Sequence, residues 1–208
     1  MATADRHKSF AELREAEPEG TAYRCRAIQR QSGFAIIAPH GGGIEPGTTE
    51  IAQGIAGSRF SLYTFEGLKP NGNETLHITS TLFDEPECLQ LVNASEVAIA
   101  IHGCSGDAKT IYLGGLHDEL KIRLIDALVT AGFDARPAGH NYAGRQPQNI
   151  CNRGRSGCGV QIEISESLRR AMFKGLGRRD RKITTDIFRK FISSVHMTLI
   201  TAAKEIGL

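Results

Sequence analysis

The sequence predicts an α/β fold with a mixed, largely parallel central sheet flanked by helices. Three observations carry that prediction. Residues 34–38 and 97–101 are short, unbroken apolar runs, as expected of strands buried on both faces. Segments of helical periodicity alternate with them, the clearest being 118–131, where Leu120, Ile122, Leu124, Ile125, Leu128 and Val129 recur at helical spacing. No repeat, low-complexity tract or linker divides the 208 residues. A single domain over 1–208 is therefore expected, with 1–20 as an N-terminal segment and 181–208 as a C-terminal helix.

In chain order, 9–17 reads as a short helix. Ser9 is its N-cap, Glu12 completes a capping box, and Pro18 ends it. Residues 23–29 alternate as a strand does. After the 34–38 run comes a glycine-rich loop. A helix then runs from an N-cap at Thr48 to about Ala56, with Glu50 in its first turn. Strands are expected at 60–65, 76–80, 111–113 and 159–164, with a turn at 69–73. Helices are expected at 85–95, entered through Asp84 and Pro86, at 118–131 closed by Gly132, at 165–173 and at 183–206. Residues 134–158 form a long, Gly- and Pro-rich loop, and loops of that length in a compact domain are usually functional.

Bulk properties exclude several classes. Apolar content of 40% with 23% charged residues is that of a soluble globular chain. No apolar run is long enough to span a membrane, and the first ten residues have no signal-peptide core, so cytosolic synthesis is expected, with release by lysis leaving no sequence trace. The five cysteines (Cys25, Cys88, Cys104, Cys151, Cys158) include no CxxC pair and read as free thiols rather than a disulfide framework or zinc knuckle. Net charge is only +2, but nine Lys or Arg fall between Arg169 and Lys190 against Asp180 and Asp186. Such a stretch is either a solvated helix face or a patch that attracts a polyanion, nucleic acid included.

The chemistry gathers at strand ends. The first apolar run leads into Ala38-Pro39-His40-Gly41-Gly42-Gly43-Ile44-Glu45, the second ends in His102, and the strand at 159–164 carries Glu163. Ligand sites of open α/β sheets lie outside the carboxyl ends of the strands. Two histidines and a carboxylate with an open fourth position for water form a catalytic zinc set, and a further carboxylate outside it is a general base on that water, the position expected for Glu163. The competing motifs are incomplete. There is no GxxxxGK[ST] for phosphate, no GxSxG for a serine nucleophile beside His40-Gly41-Gly42-Gly43, and no HExxH.

Five motifs carry a family resemblance. They are Ala38–Glu50 (APHGGGIEPGTTE), 76–80 (LHITS), 98–103 (AIAIHG), 149–154 (NICNRG) and 159–165 (GVQIEIS). In this order the chain resembles the phage and bacterial poly-γ-glutamate hydrolase family, which is similar in fold to small zinc carboxypeptidases. The resemblance implies one Zn²⁺ held by His40, Glu45 and His102, with Glu163 as base and proton shuttle, and cleavage of γ-linked polyglutamate. Four residues separate His40 from Glu45, where carboxypeptidases have His-x-x-Glu, and Glu50 is the alternative carboxylate. Asn152 and Arg153 resemble the Asn-Arg pair that grips a substrate carboxylate, with Arg155 or Arg169 as other candidates. His77 and Tyr142 are candidate cleft residues, and a packed His and Tyr are the plainer reading of them. The basic stretch becomes a rim that steers the polyanion. The partner implied is poly-γ-glutamate, with no membrane and no nucleic acid, and a monomer is expected. The alternatives are a zinc peptidase or amidase acting on another peptide or cell-wall fragment, and a nucleic-acid-binding phage accessory protein.

Overall fold

The computed structural model describes residues 5–205; the first four residues of the N-terminal segment and the end of the expected C-terminal helix, 206–208, lie outside them. Seven strands make one mixed sheet: β1 (Tyr23–Ile28), β2 (Phe34–Gly42), β3 (Ser61–Gly67), β4 (Val97–Cys104), β5 (Thr110–Gly114), β6 (Asp134–Pro137) and β7 (Val160–Ser165). Their order is β1-β3-β2-β4-β7-β5-β6. The centre, β3-β2-β4-β7, is parallel throughout; β1 joins β3 and β5 joins β7 in antiparallel fashion, and β6 adds to β5 in parallel.

The apolar runs are explained by two covered faces. Successive strand residues point to opposite sides. Phe34, Ile36 and Ala38 of β2 and Val97, Ile99 and Ile101 of β4 enter one core, with α2 (Thr48–Ala56), α4 (Asp118–Thr130), α5 (Glu166–Met172) and α6 (Asp186–Glu205). Ala35 and Ile37 of β2 and Ala98 and Ala100 of β4 enter the other, with α1 (Phe10–Ala16) and α3 (Pro86–Ala94). Each fully buried isoleucine contributes about 1.5–3 kcal/mol of hydrophobic stabilisation. No helix of the described residues is long and apolar enough to cross a membrane.

Several expected boundaries move, each for a local reason. The N-cap of α2 is Gly47, at φ +102°, rather than Thr48, whose hydroxyl donates to the Glu45 carbonyl instead. Residues 76–80 are not a strand: Asn73–Leu76 is a 3₁₀ turn, and the backbone beyond it bonds side chains, the Ile78 carbonyl to His40 and the Thr79 N–H to Asp5. The loop at 134–158 opens with β6, a short edge strand ending in Pro137, whose missing N–H an edge tolerates. In α4 only Leu120, Leu124 and Leu128 are buried; Ile122 and Val129 face solvent.

This topology places an opening. β2 connects through α2 to β3 on one side, and β3 returns through α3 to β4 on the other, so neighbouring strands β2 and β4 lead off in opposite directions. Their pairing ends at Ile37 and Ala100. Beyond it a bulge between Ala38 and Gly41, at Pro39-His40, bends β2, while β4 continues beside β7 to Cys104. A ligand crevice is expected at such a switch point.

Candidate metal centre and cleft

His40 sits on the β2 bulge and is buried. The loop after it returns at once: Glu45 N–H donates to the His40 carbonyl at 2.9 Å, and Gly43 N–H to the Gly67 carbonyl at 2.9 Å. Gly42 makes the bend at φ +66°, and a side chain there would meet the Gly67 backbone at 2.5 Å. The return brings Glu45 beside His40, while β4 delivers His102 from the neighbouring strand.

Three donor side chains converge. His40 Nδ1 lies 3.1 Å from His102 Nδ1 and 3.2 Å from Glu45 Oε1, and His102 Nδ1 lies 3.6 Å from Glu45 Oε2. His40 Nε2 donates to the Ile78 carbonyl at 2.8 Å, which leaves Nδ1 with its lone pair toward the cluster. His102 Nε2 has Ser80 Oγ at 3.4 Å, and Gly103 N–H donates to Glu45 Oε2 at 2.8 Å. His40 Nδ1 thus presents its lone pair to His102 Nδ1 at 3.1 Å, a contact that needs a proton or a cation between the two nitrogens. Atoms each about 2.0–2.1 Å from a common zinc ion stand about 3.4 Å apart in a tetrahedral set. The donor set, its spacing and its outer hydrogen bonds therefore fit zinc. Burial by itself would raise the Glu45 carboxyl, but the two histidines outweigh it and hold it below the ordinary carboxylate range.

His77 offers a different grouping, since it brings a ring nitrogen within 4.8 Å of donors on His40 and Glu45. The set with His102 is the tighter one. The His77 ring lies against the face of His40, with centroids 4.0 Å apart and planes at 34°, and its Nδ1 is 2.6 Å from Asp5 Oδ1.

Glu163 stands on β7 directly opposite His102 on β4. Burial pushes its carboxyl up to about 7; His102 opposes the rise and Glu45 adds to it. Gln161 Nε2 donates to Glu163 Oε1 at 3.0 Å. His40, Glu45, His102 and Glu163 share one cleft of about 400 Å³ with His77, Tyr142 and a set of neutral polar side chains that includes Thr79, Ser80, Asn149 and Gln161.

Other expected residues are elsewhere. Asn152 is buried with its amide fully engaged: Oδ1 accepts from Leu116 and Gly159 N–H, and Nδ2 donates to the Gly144 and Gln146 carbonyls. It shapes the loop and does not reach the cleft. Arg153 does not line the cleft, and Arg155 lies at the opposite end of β4 from His102, its N–H on the Ser95 carbonyl and its guanidinium paired with Glu96 at 3.1 Å. Arg169 is buried, and its guanidinium donates to the Ile164, Pro46 and Cys104 carbonyls, binding together the three segments that carry the site. Glu50 faces away and pairs with Arg181 at 2.9 Å. The basic stretch is not one helical face, since Arg169 and Arg181 are buried, while Lys174, Arg178, Arg179 and Lys182 are exposed. Sequence reasoning passed over Asp5, Asn149 and Gln161. Gln161 had one available signal, its position two residues before Glu163 on the same strand face.

Fold and site together define the class: an α/β protein whose parallel strands present a His-Glu-His donor set and a buried carboxylate in one cleft at their carboxyl ends. The chain belongs to the poly-gamma-glutamate hydrolase family, whose model matches residues 7–194. It is 40% identical over 172 residues to the SPbeta prophage-derived protein YoqZ of Bacillus subtilis (strain 168). That match covers 82% of this chain and 62% of YoqZ, so the chain spans less than two thirds of that relative's length. The solved structure of a bacteriophage poly-gamma-glutamate hydrolase superposes with a TM-score of 0.93 at 34% identity, covering 96% of this chain and 98% of that one. A zinc-free structure of YNDL superposes with a TM-score of 0.92 at 34% identity, covering 95% and 98%.

Proposed function

We propose that this chain hydrolyses the γ-amide bonds of poly-γ-glutamate, using one zinc ion held by His40, Glu45 and His102 and Glu163 as general base. The carrying observation is the meeting of those three donors at 3.1–3.6 Å beside a buried carboxylate, in a chain of this family. A zinc ion in such a set supplies Lewis acidity, polarising a carbonyl and acidifying water. His40 and His102 hold their rings through the Ile78 carbonyl and Ser80. Glu163 takes the proton of the attacking water as oxygen bonds to the γ-carbonyl carbon, then delivers it to the leaving nitrogen as the C–N bond breaks. The products are a carboxylate and an amine.

Neutral groups bind the substrate. Among the described residues no Lys or Arg lines the cleft, so the Thr79 and Thr81 hydroxyls and the Asn141 and Gln146 amides, with His77 and Tyr142, contact the glutamyl units. Positive charge acts from outside. Phe173 and Leu176 pack against Gly47 of the metal loop, and the exposed Lys174, Arg178 and Arg179 follow them. Such a rim steers a polyanion, and its contribution falls with salt.

Metal analysis of the purified protein is expected to find one zinc per chain, and incubation with poly-γ-glutamate is expected to shorten the polymer on a sizing column. His40→Ala and His102→Ala are expected to lose zinc and activity, and Glu163→Gln to keep zinc and lose activity. Full activity in Glu163→Gln, or in protein stripped of metal, would overturn the reading.

A further inference from the structure

The long loop at 134–158 holds neither a metal donor nor a cation that reaches the cleft, yet it is tied down at many points. Its polar side chains lead to one place. Cys151 N–H donates to Asn149 Oδ1 at 3.1 Å, Asn149 Nδ2 donates to Gln161 Oε1 at 2.9 Å, and Gln161 Nε2 donates to Glu163 Oε1 at 3.0 Å. Asn149 and Gln161 are buried. Gly144, at φ +56°, closes on the Gln161 amide so tightly that a side chain there would stand 3.1 Å from its oxygen. Asn152 holds the Gly144 carbonyl at 2.8 Å.

We infer that Asn149 and Gln161 are positioning residues that fix the Glu163 carboxylate and select which of its oxygens handles the proton; the inference rests on Glu163 acting as base. The polarity of the chain is the argument. It starts at a backbone N–H, which can only donate. Asn149 must therefore turn its oxygen to Cys151 and its NH₂ to Gln161, and Gln161 must turn its NH₂ to Glu163. Oε1 of Glu163 always faces a donor and has no acceptor to which it could give a proton. Oε2 accepts no hydrogen bond from the described residues and stays open to the cleft. The proton taken from water is carried on Oε2, already aimed at substrate. The loop, with Gly144 and Asn152, keeps the two amides from rotating.

The test is steady-state kinetics on zinc-loaded protein with poly-γ-glutamate, using Gln161→Met, Asn149→Asp, their double variant and Glu163→Gln, with zinc content and melting temperature measured for each. Met keeps the length of Gln161 without its donor. Asp keeps the shape of Asn149 but turns its donor into an acceptor. Loss of such a supporting partner is expected to lower kcat about 10–100-fold, with KM within about twofold and zinc retained. The double variant is expected to be no worse than Gln161→Met alone, because Asn149 acts only through Gln161; merely structural losses would add. Additive losses, a raised KM at unchanged kcat, loss of zinc, or full kcat in Gln161→Met while Glu163→Gln is inactive would each overturn the positioning role. Full activity in Glu163→Gln would instead overturn the base assignment beneath it.

Discussion

Gly103 shows how little room the site has. Its N–H holds Glu45 Oε2, and a Cβ on it would stand 2.5 Å from Arg169 Cζ. An arginine tip can usually move aside, but this one is buried and donates to three carbonyls. Gly103→Ala is therefore expected to cost about 1–3 kcal/mol of stability, as overpacking does, read as a lower urea midpoint. It is also expected to weaken retention of the proposed zinc against a chelator, since the Glu45 anchor moves. An alanine variant as stable as the parent would show that the guanidinium yields freely. Composition could not reveal this role. Arg169 reads as a carboxylate-binding candidate until the fold shows its donors occupied by backbone. That His40, Glu45, His102 and Glu163 share one cleft was readable because each stands just past or near the end of an apolar strand, where ligand sites of open α/β sheets lie.

At the scale of elements, α3 depends on an unusual cap. Glu85 is its N-cap, buried, accepting from Glu87 N–H at 3.1 Å and Cys88 N–H at 2.7 Å, with Pro86 following at the first helical position. α3 contributes Cys88, Leu91 and Val92 to the second core. Glu85→Ala is expected to cost about 0.5–2 kcal/mol, measured by chemical denaturation, whereas Glu85→Gln, which retains an acceptor oxygen, should cost less. Equal losses would mean that the charge, not the hydrogen bond, does the capping. The entry to α3 was legible from Pro86 because proline at the first turn is a local signal, whereas Asp84 does not cap it and instead accepts from the Phe10 N–H at 2.5 Å. β6 was not, because four residues with one buried side chain show no periodicity, and an edge strand exists only through its partner β5.

Over the whole molecule, buried thiols make stability depend on alkaline pH. Burial pushes Cys25 and Cys151 up to about 12 and Cys104 up to about 11, and raises Cys88 as well. An unfolded cysteine ionises near about 8.5. The folded state therefore keeps protons that the unfolded state releases. The stability these thiols contribute is fully present below about 8.5 and is lost as pH rises toward their folded values. The urea midpoint is expected to fall between about pH 8.5 and 11; a flat profile over that window would contradict it. All five cysteines are free, as expected from a set with no paired spacing.

What the amino-acid sequence determined by itself is the information that acts over short range. The apolar runs 34–38 and 97–101 mark strands buried on both faces, and His40 with the glycines that follow the first run marks a segment built for close approach. The reactive residues at the ends of β2, β4 and β7 mark the edge where chemistry belongs. Only the tertiary structure decided which polar side chains meet there. Asn152 and Arg153 fall within one of the family motifs, yet one is enclosed by backbone and neither lines the cleft, while Asp5 crosses 72 residues to hold His77. The direction of a loop side chain depends on which backbone groups the rest of the fold leaves unpaired, and burial makes satisfying them the stronger demand.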